Sequence, residues 1–340
     1  MTRLVQPLRS VFLAGALWSL GGSLAVGAAE PAVPSKPESA TLMLLWTPQS
    51  QFAGYYVALE KGFFRKRGLE VTLLRGGPDR DQVQDLKEGR TEFTLLWLPT
   101  ALSARAQGEP ILHLGQVVNR SNLAIVGWKD RGVQSLKDLD GRRVSIWGGS
   151  FRPAFTTFFR AQGVKPDILT QNFSINLFLL RGVDACSVMR YNEYHMLYQC
   201  GVERHELTTF FLSDYDCPLP EDGLYCMEKT FRERPAVCRA LVEASMEGWR
   251  YAAEHREEAL DIVMKQVRQG HIPANRSHMR WMLDTMIDSI FPARPSDWQV
   301  GLLNREAYQK TVAILKQAGL IRKELPLDSF SVQEDCVRAP

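Results

Sequence analysis

Short apolar runs recur along this chain, and the segments between them repeat their apolar residues every three or four positions. That alternation constrains the fold more than any other feature. Strands separated by helical crossovers pair in parallel, so the pattern predicts an α/β protein built on mostly parallel sheets. Thr41–Trp46, Leu69–Leu74, Thr91–Trp97 and Ile111–Val118 read as strands. Between them lie a helix carrying Phe52, Tyr55, Tyr56 and Leu59 on one face, a short helix over 79–88 and another over 99–107. Gly62 and Gly108 stand where helix C-caps are expected. A second block repeats the alternation with strands Leu123–Trp128, Arg143–Trp147, Ala185–Met189 and Glu206–Leu212, and helices over 152–161 and 191–200. After a last strand at Leu224–Met227 the character changes to long amphipathic helices over 233–254, 256–268, 276–290 and 302–318. The expected organisation is two α/β lobes, one from 41–120 and 222–340 and the other from 121–221. Chain crossings near 119–124 and 213–223 would form a two-strand hinge, and the helical tail would return to the first lobe.

The N-terminus sets the context. Arg3 and Arg9 precede the apolar run Val11–Leu20, and small residues follow to Ala29. This is the pattern of a secretory signal, so residues 1–29 are expected to be removed and the remainder to reside in the periplasm. The alternative, a retained anchor over 10–29, places the rest of the chain in the same compartment. Residues 30–40, polar and containing Pro34 and Pro37, read as a flexible leader. The 340 residues carry 41 basic and 38 acidic side chains, a net charge of +3 with no basic stripe, so nucleic acid is not expected as a partner.

Motifs of catalysis are missing. No G-x-G-x-x-G or P-loop opens a helix after a strand, no G-x-S-x-G elbow occurs, and no H-E-x-x-H or C-x-x-C pair offers metal-ligand spacing. No cofactor, metal or enzymatic activity is expected. The six cysteines allow fifteen disulfide connectivities, of which Cys217–Cys226, flanking a short loop, is the pair that spacing favours.

Several segments in a fixed order are distinctive. They are Trp46-Thr47-Pro48-Gln49-Ser50-Gln51-Phe52-Ala53-Gly54-Tyr55-Tyr56, Glu60-Lys61-Gly62-Phe63-Phe64, and Leu86-Lys87-Glu88-Gly89-Arg90-Thr91-Glu92-Phe93. Ser135 to Val144, Tyr191 to His195, Glu221 to Tyr225 and Gly248-Trp249-Arg250-Tyr251-Ala252 follow. This set, over roughly residues 41–290, resembles the periplasmic solute-binding proteins of ABC importers. The branch it is most similar to handles sulfonates, nitrate and thiamine-pyrimidine precursors. The resemblance implies a type II two-lobed periplasmic binding protein fold, a small-molecule ligand, a monomer, and ABC permease subunits at the membrane as partners.

Open α/β sheets bind ligands beyond the carboxyl ends of their strands. Trp46, Trp97 and Trp147 each stand at such an end and could sandwich a flat ring, with core or rim packing as the plainer role. Gln51 and Phe52 open the first helix, where free N–H groups face polar ligand atoms. Gly149 and Ser150 precede the 152–161 helix and suit an anion, as does Arg152. Tyr191, Asn192 and Glu193 follow a strand and supply amide and carboxylate acceptors for an aminopyrimidine edge. An acid and aromatic rings hold the pyrimidine in thiamine-precursor binders, by resemblance. Asp216 and Glu221-Asp222 lie on the second crossing, where hinge hydrogen bonding is the plainer role. The favoured ligand is a small N-heteroaromatic, a thiamine pyrimidine precursor or flavin-like ring. A sulfonate, taurine or nitrate anion is the alternative. Readings from other classes are a periplasmic sensor and an enzyme like the fungal pyrimidine synthases. Against the enzyme, the Lys and His of those synthases fall on Leu96 and Thr100 here, and their Cys-rich run is absent.

Overall fold

The computed structural model describes residues 36–148, 151–291, 293–294, 298–323 and 325–337. Ten strands among them form two five-stranded sheets. The strands are β1 (Glu38–Met43), β2 (Leu69–Leu74), β3 (Phe93–Leu96), β4 (Ile111–Val118), β5 (Leu123–Trp128), β6 (Arg143–Trp147), β7 (Asp167–Gln171), β8 (Ala185–Met189), β9 (Leu207–Phe211) and β10 (Glu221–Met227). One sheet has the order β2-β1-β3-β10-β4 and the other β7-β6-β8-β5-β9. The chain leaves the first sheet after β4 and returns to it with β10.

The sheets are more mixed than the alternation predicts. β10 runs antiparallel to both β3 and β4, and β5 runs antiparallel to both β8 and β9. These are the strands reached by crossing between the sheets, so no helical crossover obliges them to be parallel. β1 also begins earlier than its apolar run. Glu38, Ser39 and Ala40 pair with Leu69, Glu70 and Val71 of β2, which takes three residues from the expected leader. Partner register, not hydrophobicity, sets that boundary. β1 correspondingly ends at Met43, so Trp46 lies in the loop beyond it. β7 was not expected at all. It is an edge strand that pairs only with β6, with just its last residue buried, and its Asp and Gln ends blur the pattern.

Pro235 divides the expected 233–254 helix. It has no N–H to donate and it excludes helical backbone from the residue before it, and Arg234 stands at φ −137° and ψ 52°. The Pro235–Glu254 helix packs on Ala53–Glu60, with Trp249 completely buried between them. The Arg276–Ile290 helix lies against the turn Ser50–Phe52, and Gln333–Cys336 lies against β4 and Pro235–Glu254. The Arg305–Gln317 helix reaches the other sheet and touches Arg152–Ala161. All six cysteines are free thiols. Cys226 has Cys238 as its hydrogen-bonding neighbour, which replaces the expected partner Cys217. No helix among the described residues is long and apolar enough to cross a membrane.

Candidate functional site

The loops at the ends of β1, β3, β6 and β8 face each other across a cleft between the sheets. Pro48 stops any extension of β1, Gln49 is extended, and Ser50–Phe52 form a 3-10 turn that feeds the Ala53–Glu60 helix. The turn is buried, so its side chains must find partners there. Gln49 Nε2 donates to Gln51 Oε1 at 2.6 Å, and Gln51 Nε2 donates to Asp222 Oδ2 at 2.8 Å. Trp97 Nε1 donates to the other oxygen, Asp222 Oδ1, at 3.2 Å. Asp222 is 2% exposed, and its φ of 42° places a non-glycine residue in the left-handed region. Burial pushes its carboxyl up to about 6, against the pull of the Gln51 and Trp97 hydrogen bonds.

The opposite wall comes from β6 and β8. Glu193 Oε2 accepts from the Met189 N–H and Oε1 from Asn192 Nδ2, each at 3.0 Å. Burial pushes this carboxyl up to about 7, and those hydrogen bonds only partly offset the loss of solvation. Tyr191 is buried beside Glu193, Asp222 and Glu221, and its phenol is raised by burial and then by those three acids.

Aromatic rings close the space between the walls. Phe151 lies 4.6 Å from the Trp97 ring, 6.2 Å from Trp46 and 6.3 Å from Trp147. Phe173 lies 4.7 Å from Trp46. These rings, with Leu45, separate an inner cavity of about 50 Å³ from an outer one of about 620 Å³. The inner cavity is lined by Leu45, Trp46, Gln49, Gln51, Trp97, Trp147, Phe151, Phe173, Met189, Tyr191, Asn192 and Glu193. Trp147 Nε1 is buried without a hydrogen-bond partner among the described residues, so a donor goes unused at this wall.

Seven of the residues nominated from sequence therefore meet here: Trp46, Gln51, Trp97, Trp147, Tyr191, Asn192 and Glu193. Of the others, those among the described residues do not line this cavity. Phe52 is wholly buried in the core, because its side of the turn faces the packed helices. Arg152 begins its helix outside the lining. Asp216 pairs with Lys310 at 2.6 Å beside a separate surface cavity. Gly149 and Ser150 lie outside the described residues. Gln49, Phe151 and Phe173 were missed, and Asp222, for which hinge bonding was the plainer expectation, instead holds Gln51 and Trp97 behind the cavity wall. Phe173 follows the unrecognised strand β7. Asp222 sits at the start of β10, which reaches the cleft by its N-terminal end because it is antiparallel.

Comparison with known proteins agrees with this architecture. The family model described as NMT1/THI5 like matches residues 49–259. The chain is 24% identical over 304 residues to a putative thiamine biosynthesis protein of Haemophilus influenzae, covering 87% of this chain and 92% of the relative. It is 25% identical over 243 residues to a formylaminopyrimidine-binding protein of Halalkalibacterium halodurans, covering 69% and 73%. Its fold is that of the periplasmic aliphatic sulphonate binding protein of Escherichia coli, with TM-score 0.66 and 16% identity, covering 87% of this chain and 92% of that structure.

Proposed function

Since the chain belongs to the NMT1/THI5-like family, we propose that it is the extracytoplasmic ligand-capturing component of an ABC importer. Its ligand is a flat N-heteroaromatic of the thiamine-pyrimidine-precursor type. The observation that carries this reading is the inner cavity, walled by aromatic rings with the Glu193 carboxyl among them. Rings stack on rings, adding about 0.5–1.5 kcal/mol beyond the area they bury. Glu193 accepts hydrogen bonds from an exocyclic amine, and the unused Trp147 N–H donates to a ring nitrogen or carbonyl. No Lys or Arg lines the inner cavity among the described residues, and two carboxyls, Glu193 and Asp222, lie at its wall or directly behind it. A sulfonate or nitrate would meet carboxyl oxygens there with no Lys or Arg to neutralise its charge. The Halalkalibacterium relative is named for binding a formylaminopyrimidine, in keeping with this ligand class, and the Haemophilus relative is named for thiamine biosynthesis.

Capture proceeds by closure of two lobes, 41–120 with 222–340 against 121–221, about the crossings near 119–124 and 213–223. Permease subunits read the closed form. The signal-like pattern over 1–29 supports export, and the protein acts as a monomer without a cofactor.

Thermal unfolding against formylaminopyrimidine, riboflavin, taurine and nitrate tests the reading. A ligand that binds only the native state adds about 2.7 kcal/mol at one hundred times its Kd. The aminopyrimidine is expected to raise the midpoint, and Trp46→Ala to weaken its binding about tenfold. A shift with taurine or nitrate alone overturns the assignment.

A further inference from the structure

One face of the Arg276–Ile290 helix touches the sheet to which that helix does not belong. His278, Trp281, Thr285 and Ser289 recur at intervals of three and four and so share one side of the helix. Ser289 Oγ shares its one proton between Asn122 Oδ1 at 2.9 Å, where the chain passes from β4 to β5, and the Thr285 carbonyl at 2.8 Å. Trp281 Nε1 donates to the Arg190 carbonyl at 3.0 Å, just past β8. His278 Nε2 lies 2.9 Å from Asn192 Oδ1, and its Nδ1 lies 2.9 Å from Nδ1 of His195. The two imidazole planes are 2° apart, so the nitrogens meet edge to edge, and the His195 ring stacks on Trp281 at 4.6 Å.

Hydrogen-bond bookkeeping orders these contacts. An amide oxygen only accepts, so His278 must carry its proton on Nε2. Its Nδ1 is then an acceptor, which His195 satisfies with an Nδ1–H. With its oxygen engaged by His278, the Asn192 amide can present only its Nδ2 to Glu193 Oε1. Were the amide to flip, oxygen would face carboxylate oxygen. The cavity carboxylate is thus aimed by a residue whose own orientation is set from the other sheet.

We infer that the Arg276–Ile290 helix is a clasp between the two sheets and that His278 is its positioning residue. His278 orients Asn192, and through it Glu193, so that bringing the sheets together and aiming the cavity carboxylate are a single event. Ser289 holds the helix at the crossing, and His278 stands about 16 Å further along it. An opening rotation about the crossing therefore breaks the His278 contacts while the Ser289 contact persists. The role assigned to Glu193 rests on the ligand-capture reading, whereas the clasp itself does not.

The test has two arms. In ligand-free protein, NMR follows hydrogen exchange of the Asn192 side-chain amide. His278→Ala is expected to speed that exchange about tenfold or more, and His278→Gln, which keeps a donor for Asn192, to restore much of the protection. In the second arm formylaminopyrimidine is the probe. His278→Ala is expected to raise its dissociation rate about tenfold while association stays within about threefold. Trp281→Phe, which deletes the N–H to Arg190, serves if His278→Ala does not fold, and is expected to speed Asn192 exchange as well. Unchanged Asn192 exchange in these variants overturns the clasp. So does equal loss in His278→Ala and His278→Gln, which marks a merely structural residue. If formylaminopyrimidine fails to bind the wild type, the ligand assignment falls and the exchange arm still decides the clasp.

Discussion

Gly248→Ala is expected to destabilise the protein by about 3 kcal/mol. In an unencumbered helix the same change would stabilise by about 1 kcal/mol, because alanine is the better helix former. Here packing reverses the sign. A Cβ on Gly248 would lie 2.0 Å from the Gly54 carbonyl oxygen and 2.9 Å from the Ala58 Cβ. The Ala53–Glu60 and Pro235–Glu254 helices therefore touch backbone to backbone at this point. A Cβ on Gly54 would in turn fall 2.3 Å from the Trp249 ring. Relief would require the helices to move apart, and the first of them is continuous with the turn that carries Gln51. Urea unfolding monitored by circular dichroism measures the effect. A variant as stable as the wild type would show that the helices do not approach this closely.

That crossing also explains part of what was legible in the sequence. Gly54-Tyr55-Tyr56 and Gly248-Trp249 are among the segments that carry the family resemblance, and they are the two halves of one packing contact. They identify the fold and say nothing of the ligand. The central strands were readable because burial on both faces makes them continuous apolar runs, as in β4 and β5. The edge strand β7 was not, since only its pairing with β6 makes it a strand. The three tryptophans could be placed at the cleft because each stands at or just beyond the carboxyl end of a strand that the apolar runs reveal. Asp222 could not, because the direction of β10 depends on which strands it joins, and that information is nowhere local. Phe52 misled for a related reason. It neighbours Gln51 in a 3-10 turn, and successive side chains there face different ways, so one reaches the cleft and the other the core.

Stability is expected to fall by about 2.5 kcal/mol between pH 6.5 and pH 8, the combined contribution of Glu221, Glu193 and Asp222. Glu221 is 1% exposed, and burial, followed by the nearby Asp222, pushes its carboxyl up to about 8. Its oxygens accept from Ser121 Oγ at 2.8 Å and the Asn122 N–H at 2.7 Å, which offset only part of that rise. Glu193 stands at about 7 and Asp222 at about 6. Unfolded carboxyls release their protons near 4. Through this window the native state therefore holds protons that the unfolded chain has already lost. The stability so gained is complete below the unfolded values and disappears as pH rises through the folded ones. Buried His278, held down at about 4, and His113, held down at about 3, oppose the trend by about 0.8 kcal/mol within the window, and by more in acidic solution, because their unfolded rings are half protonated at pH 6.5. Toward pH 8 about a quarter of each unfolded cysteine thiol is ionised while buried Cys186, Cys217, Cys226 and Cys336 stay protonated, which adds about 0.6 kcal/mol to the fall and nearly offsets the histidines. Chemical unfolding at a series of pH values measures the slope. Glu221→Gln is expected to remove more than half of it, and a flat profile in the wild type would show that these carboxyls are ionised at no cost. The ligand makes the same measurement discriminating. A protonated or amine-bearing ring that donates to Glu193 favours the carboxylate, lowers its titration point and shallows the slope. An anion held near the same carboxyl favours the protonated form and steepens it. The sign of that change therefore reports which class of ligand the cavity takes.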